Sequence, residues 1–141
     1  MPASRAAWLV ALASLLVAAE ARAQPRLTLG AGTGLPYGSP LVGVGASLEI
    51  GPHFALLAGA GPGSDAIWAA GARIHFRRPA ARWRPHLSVL GFPDGWGVYG
   101  GVDHDVGRPG KWFLTYGAGA GDVNLEASVG VLFGVGFRFG H

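Results

Sequence analysis

The sequence contains no cysteine and a single methionine. The missing thiol excludes a disulfide framework, a thiolate metal centre and a cysteine nucleophile. Charge is scarce as well: 13% of the 141 residues are Asp, Glu, Lys or Arg, about half the share of an average soluble domain. No apolar run reaches the roughly 20 residues that a membrane-spanning helix needs. There is no acidic or basic tail, and nothing in the charge pattern points to nucleic acid. What the chain has in excess is glycine, 25 residues in a sequence that is 50% hydrophobic. That apolar half separates it from disordered Gly/Pro-rich chains.

The first segment reads as an export address. Arg5 precedes the apolar stretch Ala6 to Ala19, and Ala21-Arg22-Ala23 supplies a small-x-small cleavage pattern before Gln24. Residues 1–23 are therefore expected to be a cleaved signal peptide, and 24–141 a single domain. Removing Arg5, Glu20 and Arg22 leaves nine basic and seven acidic side chains, a net charge of +2. An exported domain of this size without cysteine must be stabilised by something other than disulfides.

Beyond Gln24 the apolar residues alternate, the period of a β-strand. Val123, Leu125, Ala127, Val129, Val131, Phe133, Val135, Phe137 and Phe139 share one parity; Glu126, Ser128, Gly130, Gly134, Gly136 and Arg138 share the other. Similar runs recur around Val42–Ile50, Trp68–Phe76 and Trp112–Ala120. Prolines 36, 40, 52, 62, 79, 93 and 109 lie between runs, because proline cannot donate to a ladder, and Gly121-Asp122 offers a further turn. This punctuation predicts eight strands, near 26–34, 41–50, 53–61, 66–76, 84–92, 95–103, 111–121 and 123–139. The expected fold class is all-β: a closed antiparallel eight-stranded up-and-down barrel.

Which face is wet decides the rest. If the bulky face were the core, the outside would be mostly glycine with few charges, whereas a soluble surface wants roughly 25–35% charged residues. Turning the faces round removes the conflict. An apolar exterior suits lipid, and an eight-stranded bore is narrow enough to be filled by small and a few charged side chains. Nine residues rising about 3.3 Å each at a tilt near 40° climb roughly 23 Å, close to the apolar band of a transmembrane barrel. Phe54, Phe76, Trp83, Trp112 and Phe139 fall at one end of the strands, and Tyr37, Trp68, Phe92 and Trp96 toward the other, as two aromatic girdles would. Glu49, Arg73, Asp103, Glu126 and Arg138 are read as a paired network in the bore, since buried charge must be paired.

With its leader, its alternating Gly-rich strands and the last strand VGVLFGVGFRF, the chain resembles the small outer-membrane β-barrel proteins of Gram-negative bacteria, porin-like in class and nearest the eight-stranded OmpA/OmpX type. The resemblance implies outer-membrane localisation, with lipid and lipopolysaccharide around a monomer. It also implies recognition of a final aromatic, here Phe139, by the barrel-assembly machinery, although Gly140-His141 follow it. No cofactor is expected. Both termini would be periplasmic, with long outer loops and short inner turns; here the inner connections 77–83 and 104–110 are at least as long as the outer ones.

Four groups of residues could carry chemistry. Gly95-Trp96-Gly97-Val98-Tyr99-Gly100 spells a dinucleotide-loop string, but strand-like sequence follows it where a helix is required. His86-Leu87-Ser88 places an imidazole and a hydroxyl on one strand face, and Glu126 could complete a hydrolase set, an order that resembles the outer-membrane lipid A deacylases; the plainer reading is polar filling of the bore. Asp103-His104-Asp105 could ligate a metal only within a turn, and a solvated turn is the plainer reading there. Arg77, Arg78, Arg82 and Arg84 could clamp phosphate, or simply be a solvated turn whose stems cover the rim. No catalytic, cofactor-binding or metal residue is assigned. The function expected is a structural or interaction role with a filled, non-conducting lumen. The alternatives are a lipid A-modifying hydrolase and a secreted soluble β-barrel binding a small apolar ligand.

Overall fold

The computed structural model describes residues 25–34, 39–62, 67–93, 95–107, 110–123 and 126–139. The expected leader 1–23 and the aromatic Tyr37 lie outside them. Eight strands follow one another: β1 (Arg26–Gly34), β2 (Ser39–Ile50), β3 (Phe54–Gly61), β4 (Ile67–His75), β5 (Trp83–Phe92), β6 (Gly95–Val106), β7 (Trp112–Val123) and β8 (Glu126–Phe139). Each pairs antiparallel with the next, and β1 closes on β8 through the register Leu27↔Phe139 to Thr33↔Phe133. Closure leaves no unpaired edge.

The alternation seen in the sequence is the in/out alternation of the barrel. Along β8, Val129, Val131, Phe133, Val135 and Phe139 are exposed, while Leu132 and Arg138 between them are buried. Val131 is 69% exposed and its neighbour Leu132 2%. The same holds round the barrel. Leu27, Leu29, Val44, Leu48, Leu56, Ile74, Leu87 and Val89 face out; Thr28, Glu49, Arg73, His75, Arg84, His86, Ser88, Asp103, Asp105, Thr115 and Arg138 are buried. The greasy face is the exterior and the polar face the interior, the reverse of a soluble barrel.

Several expectations need correction. Gly121 and Asp122 are not a turn: both pair within the β7–β8 ladder, with Ser128 and Ala127. Pro40 belongs to β2 rather than to the turn before it. Strand β6 runs to Val106, three residues beyond the expected end, because Asp103 and Asp105 find buried cationic partners that hold the strand in register. Phe92 does not join an outer girdle, since it shares the inward parity of Ser88 and Leu90 and is buried with them. Trp68 and Trp96 do face out near that rim, and Phe76, Trp83, Trp112 and Phe139 do so at the opposite, terminal rim, where β1 begins and β8 ends.

At the terminal rim Gly51 opens the β2–β3 turn at φ 75°, a left-handed conformation that favours glycine. Two connections there, 76–82 and 107–111, are at least as long as any of the opposite spans 35–38, 62–66, 93–94 and 124–125, while the turn 51–53 is shorter than the first two of those.

Candidate functional site

Period two carries one charged or polar side chain after another into the lumen, and the terminal half of the barrel holds nearly all of them. One cluster centres on Asp103 of β6. His75 Nε2 lies 2.9 Å from its Oδ2, and Arg73 Nη1 and His86 Nε2 lie 3.5 and 3.4 Å from its Oδ1. Arg73 Nε donates to Ser88 Oγ at 2.9 Å. The His75 and His86 rings meet edge to face, 5.8 Å between centroids.

A second cluster lies toward the terminal rim. Arg84 Nη1 donates to Glu49 Oε1 at 2.8 Å, and Arg138 Nη1 to Asp105 Oδ1 at 2.6 Å. Arg138 Nε approaches the same Glu49 oxygen at 3.9 Å, which joins the two pairs, and its guanidinium sits 4.3 Å from the centroid of the Phe113 ring. Asp105 Oδ2 also accepts from the Gly110 amide, fastening the β6–β7 connection to the lumen. Three arginines, 73, 84 and 138, thus face three carboxylates, 49, 103 and 105, among the described residues. Such charges are tolerable in a low-dielectric bore only as balanced, hydrogen-bonded pairs.

Further along the bore the filling changes character. Leu57, Leu90, Tyr99 and Leu132, from β3, β5, β6 and β8, form one buried cluster. Glycines make room for it: a Cβ on Gly119 would lie 2.6 Å from Tyr99 Cγ, and one on Gly130 would lie 3.0 Å from the Tyr99 hydroxyl. A pocket of about 40 Å³, lined by Thr28, Gly30, Gly45, Ala46, Ser47, Leu57, Arg73 and Phe113, lies beside these groups. That is space for a few water molecules rather than a sugar or an acyl chain. Thr28 and Ser47, whose hydroxyls bond each other, border it.

The two described members of the hydrolase set have separate partners. His86 and Ser88 do share the inward face of β5, but His86 Nε2 turns to Thr115 Oγ1 and Asp103, while Ser88 Oγ is held by Arg73. Ser88 is 0% exposed. Through the ladders Ser88 stands level with Tyr99, Gly119 and then Gly130, four residues along β8 from Glu126. At about 3.3 Å per residue, that backbone distance is roughly 13 Å. The side chain of Glu126 lies outside the described residues, and so does its expected place in the lumen network.

Asp103, His104 and Asp105 are a strand and not a solvated turn. The two carboxylates point in, and His104 points out to stack on Trp83, 3.8 Å between centroids and 14° from parallel. Among the described residues no group of three His, Asp or Glu side chains is arranged to hold a metal. The arginine cluster divides too: Arg77, Arg78 and Arg82 are exposed, whereas Arg84 is 1% exposed and belongs to the lumen. Sequence reasoning missed Arg84, Asp105 and His75 as network members. Counting back by twos from Ser88 reaches Arg84, and counting forward from Asp103 reaches Asp105.

No protein-family model matches the chain, and no curated protein matches it at a significant level. Among solved structures it is similar to the crystal structure of the N-terminal β-barrel domain of Pseudomonas aeruginosa OprF. The TM-score is 0.56 over 82% of this chain and 97% of that one, at 15% identity. The fold is that of the OprF barrel. An identity this low speaks for shared architecture alone, so the lumen contacts described above belong to this chain. The OprF likeness and the closed eight-stranded topology agree with the architecture that the OmpA/OmpX-type resemblance implies.

Proposed function

We propose that this chain is an exported outer-membrane β-barrel protein, non-enzymatic, with a structural or interaction role and a lumen that does not conduct solutes. The observation that carries the reading is the sidedness: an exterior of exposed Leu, Val, Ile and Phe over an interior of paired arginines and carboxylates. Water around such an exterior is unfavourable by about 25 cal/mol for every Å² of apolar surface. Lipid removes that penalty, and a closed ladder leaves no backbone group unsatisfied within it. The two rims of outward aromatics suit the two membrane interfaces.

The apolar plug of Leu57, Leu90, Tyr99 and Leu132, stacked on the ionic clusters, supports a closed bore. The confinement of Ser88 and His86 to partners other than each other supports a role without hydrolysis. Residues 1–23 act in this reading as the leader that exports the chain, and exposed Phe139 as the aromatic read by the assembly machinery.

Refolding the mature chain, 24–141, into detergent or lipid vesicles tests the proposal. The folded barrel should partition with detergent, migrate on a gel at a position that shifts on boiling, and give no steady conductance across a planar bilayer. A chain that stays soluble and monomeric in plain buffer overturns the membrane reading. Steady ion current overturns the closed lumen.

A further inference from the structure

The distribution of charge at the terminal rim is one-sided. Arg77, Arg78 and Arg82 in the β4–β5 connection and Lys111 before β7 are all exposed. None of the four has an acidic partner among the described residues. The described carboxylates at this end, Glu49, Asp103 and Asp105, are buried and committed to Arg84, Arg73 and Arg138. The lumen therefore takes up the described carboxylates of this rim, and the charged side chains described as exposed at its outer edge are cations.

These cations are not scattered. Arg77 directly follows Phe76, Arg82 directly precedes Trp83, and Lys111 directly precedes Trp112; all three aromatics are exposed. Three of the four cations thus stand one residue outward from a ring of the interfacial belt, and Arg78 stands two. That is the level of lipid head groups, which long basic side chains reach by snorkelling. The β4–β5 connection is itself held in place, by Ala81 N donating to Arg78 O and Asp105 N donating to Arg82 O. Three guanidinium groups on a tethered turn offer the planar, multidentate donors that suit phosphate oxygens.

We propose that this rim binds the phosphate groups of anionic glycerophospholipids through Arg77, Arg78 and Arg82, with Lys111 adding charge, and so fixes the depth of the barrel in its bilayer. The proposal rests on the membrane reading above. Glycerophospholipid is chosen over lipid A because the start of β1 and the end of β8 lie at this rim. On the export reading they stay on the side from which the barrel enters, where the leaflet is phospholipid.

The test uses the mature barrel folded into phosphatidylcholine vesicles doped with spin-labelled phosphatidylcholine, phosphatidylglycerol or lipid A, reading the motionally restricted fraction of each. Phosphatidylglycerol should be favoured over phosphatidylcholine by about fivefold or more at low salt, since a basic residue near an anionic surface is worth about that factor. The preference should fall as salt rises. Arg77→Gln/Arg78→Gln/Arg82→Gln should lose it while keeping the heat-shifted gel band, and the corresponding Lys variant should keep part of it. A restricted component of equal size for phosphatidylglycerol and phosphatidylcholine overturns the docking proposal while leaving the membrane reading intact. A stronger preference for lipid A overturns the choice of phospholipid. The absence of any restricted lipid overturns both readings together.

Discussion

Arg84 and Glu49 reach across the lumen to a hydrogen bond of 2.8 Å, although they are 35 residues apart in the chain and each is almost wholly buried. Strand β2 supplies the carboxylate and strand β5 the guanidinium, so the pair ties together strands that share no ladder. Removing Glu49 leaves the Arg84 guanidinium without its carboxylate in a low-dielectric bore. Glu49→Ala should therefore lower unfolding stability by about 3 to 5 kcal/mol, and Glu49→Leu/Arg84→Met should recover most of the loss. Urea unfolding in lipid vesicles, followed by the heat-shifted band, measures both. A near-neutral Glu49→Ala would mean that the bore is wet enough to solvate the arginine.

Glycine on the inner face has a packing reason that can be tested. A Cβ on Gly136 would lie 2.3 Å from Cζ of Phe113, whose ring also carries the Arg138 guanidinium. Gly136→Ala should force the ring aside and cost about 1 to 3 kcal/mol. Gly100 has open space where its Cβ would be, and Gly100→Ala should be neutral or stabilising by up to about 1 kcal/mol. The same unfolding assay compares the two, and equal effects would contradict the packing account.

Ser88 serves Arg73 in this structure. Ser88→Ala should leave a buried guanidinium N–H unsatisfied and cost about 1 to 3 kcal/mol. The acyl pattern of lipid A from cells carrying the variant should match that of cells with the parent protein. A changed pattern would restore the hydrolase alternative.

The strand count was legible from the prolines between the alternating runs, and the sidedness from the scarcity of charge on the glycine-rich face. Strand β1 begins and ends where the sequence places it, at Arg26 and Gly34. Strand ends that depend on side-chain pairing were not legible. The string Asp103-His104-Asp105 reads as a solvated turn, yet the strand continues because Asp105 meets Arg138 across the bore. Arg84 is obscured by proximity to Arg77, Arg78 and Arg82, since clustering along the chain hides the parity that it shares with Ser88. Pairing across a lumen depends on register, and register lies in the ladders rather than in any local pattern.

The central claim is that bulky apolar side chains coat the outside and small or charged ones fill the bore. The absence of cysteine makes a direct measurement simple. Single substitutions Val131→Cys, Leu132→Cys, Phe133→Cys, Gly134→Cys and Val135→Cys, each spin-labelled in the folded, vesicle-embedded barrel, report lipid exposure through collisions with dissolved oxygen. The account predicts high collision rates at 131, 133 and 135 and low rates at 132 and 134. Low rates at the odd positions with high rates at the even ones would contradict it.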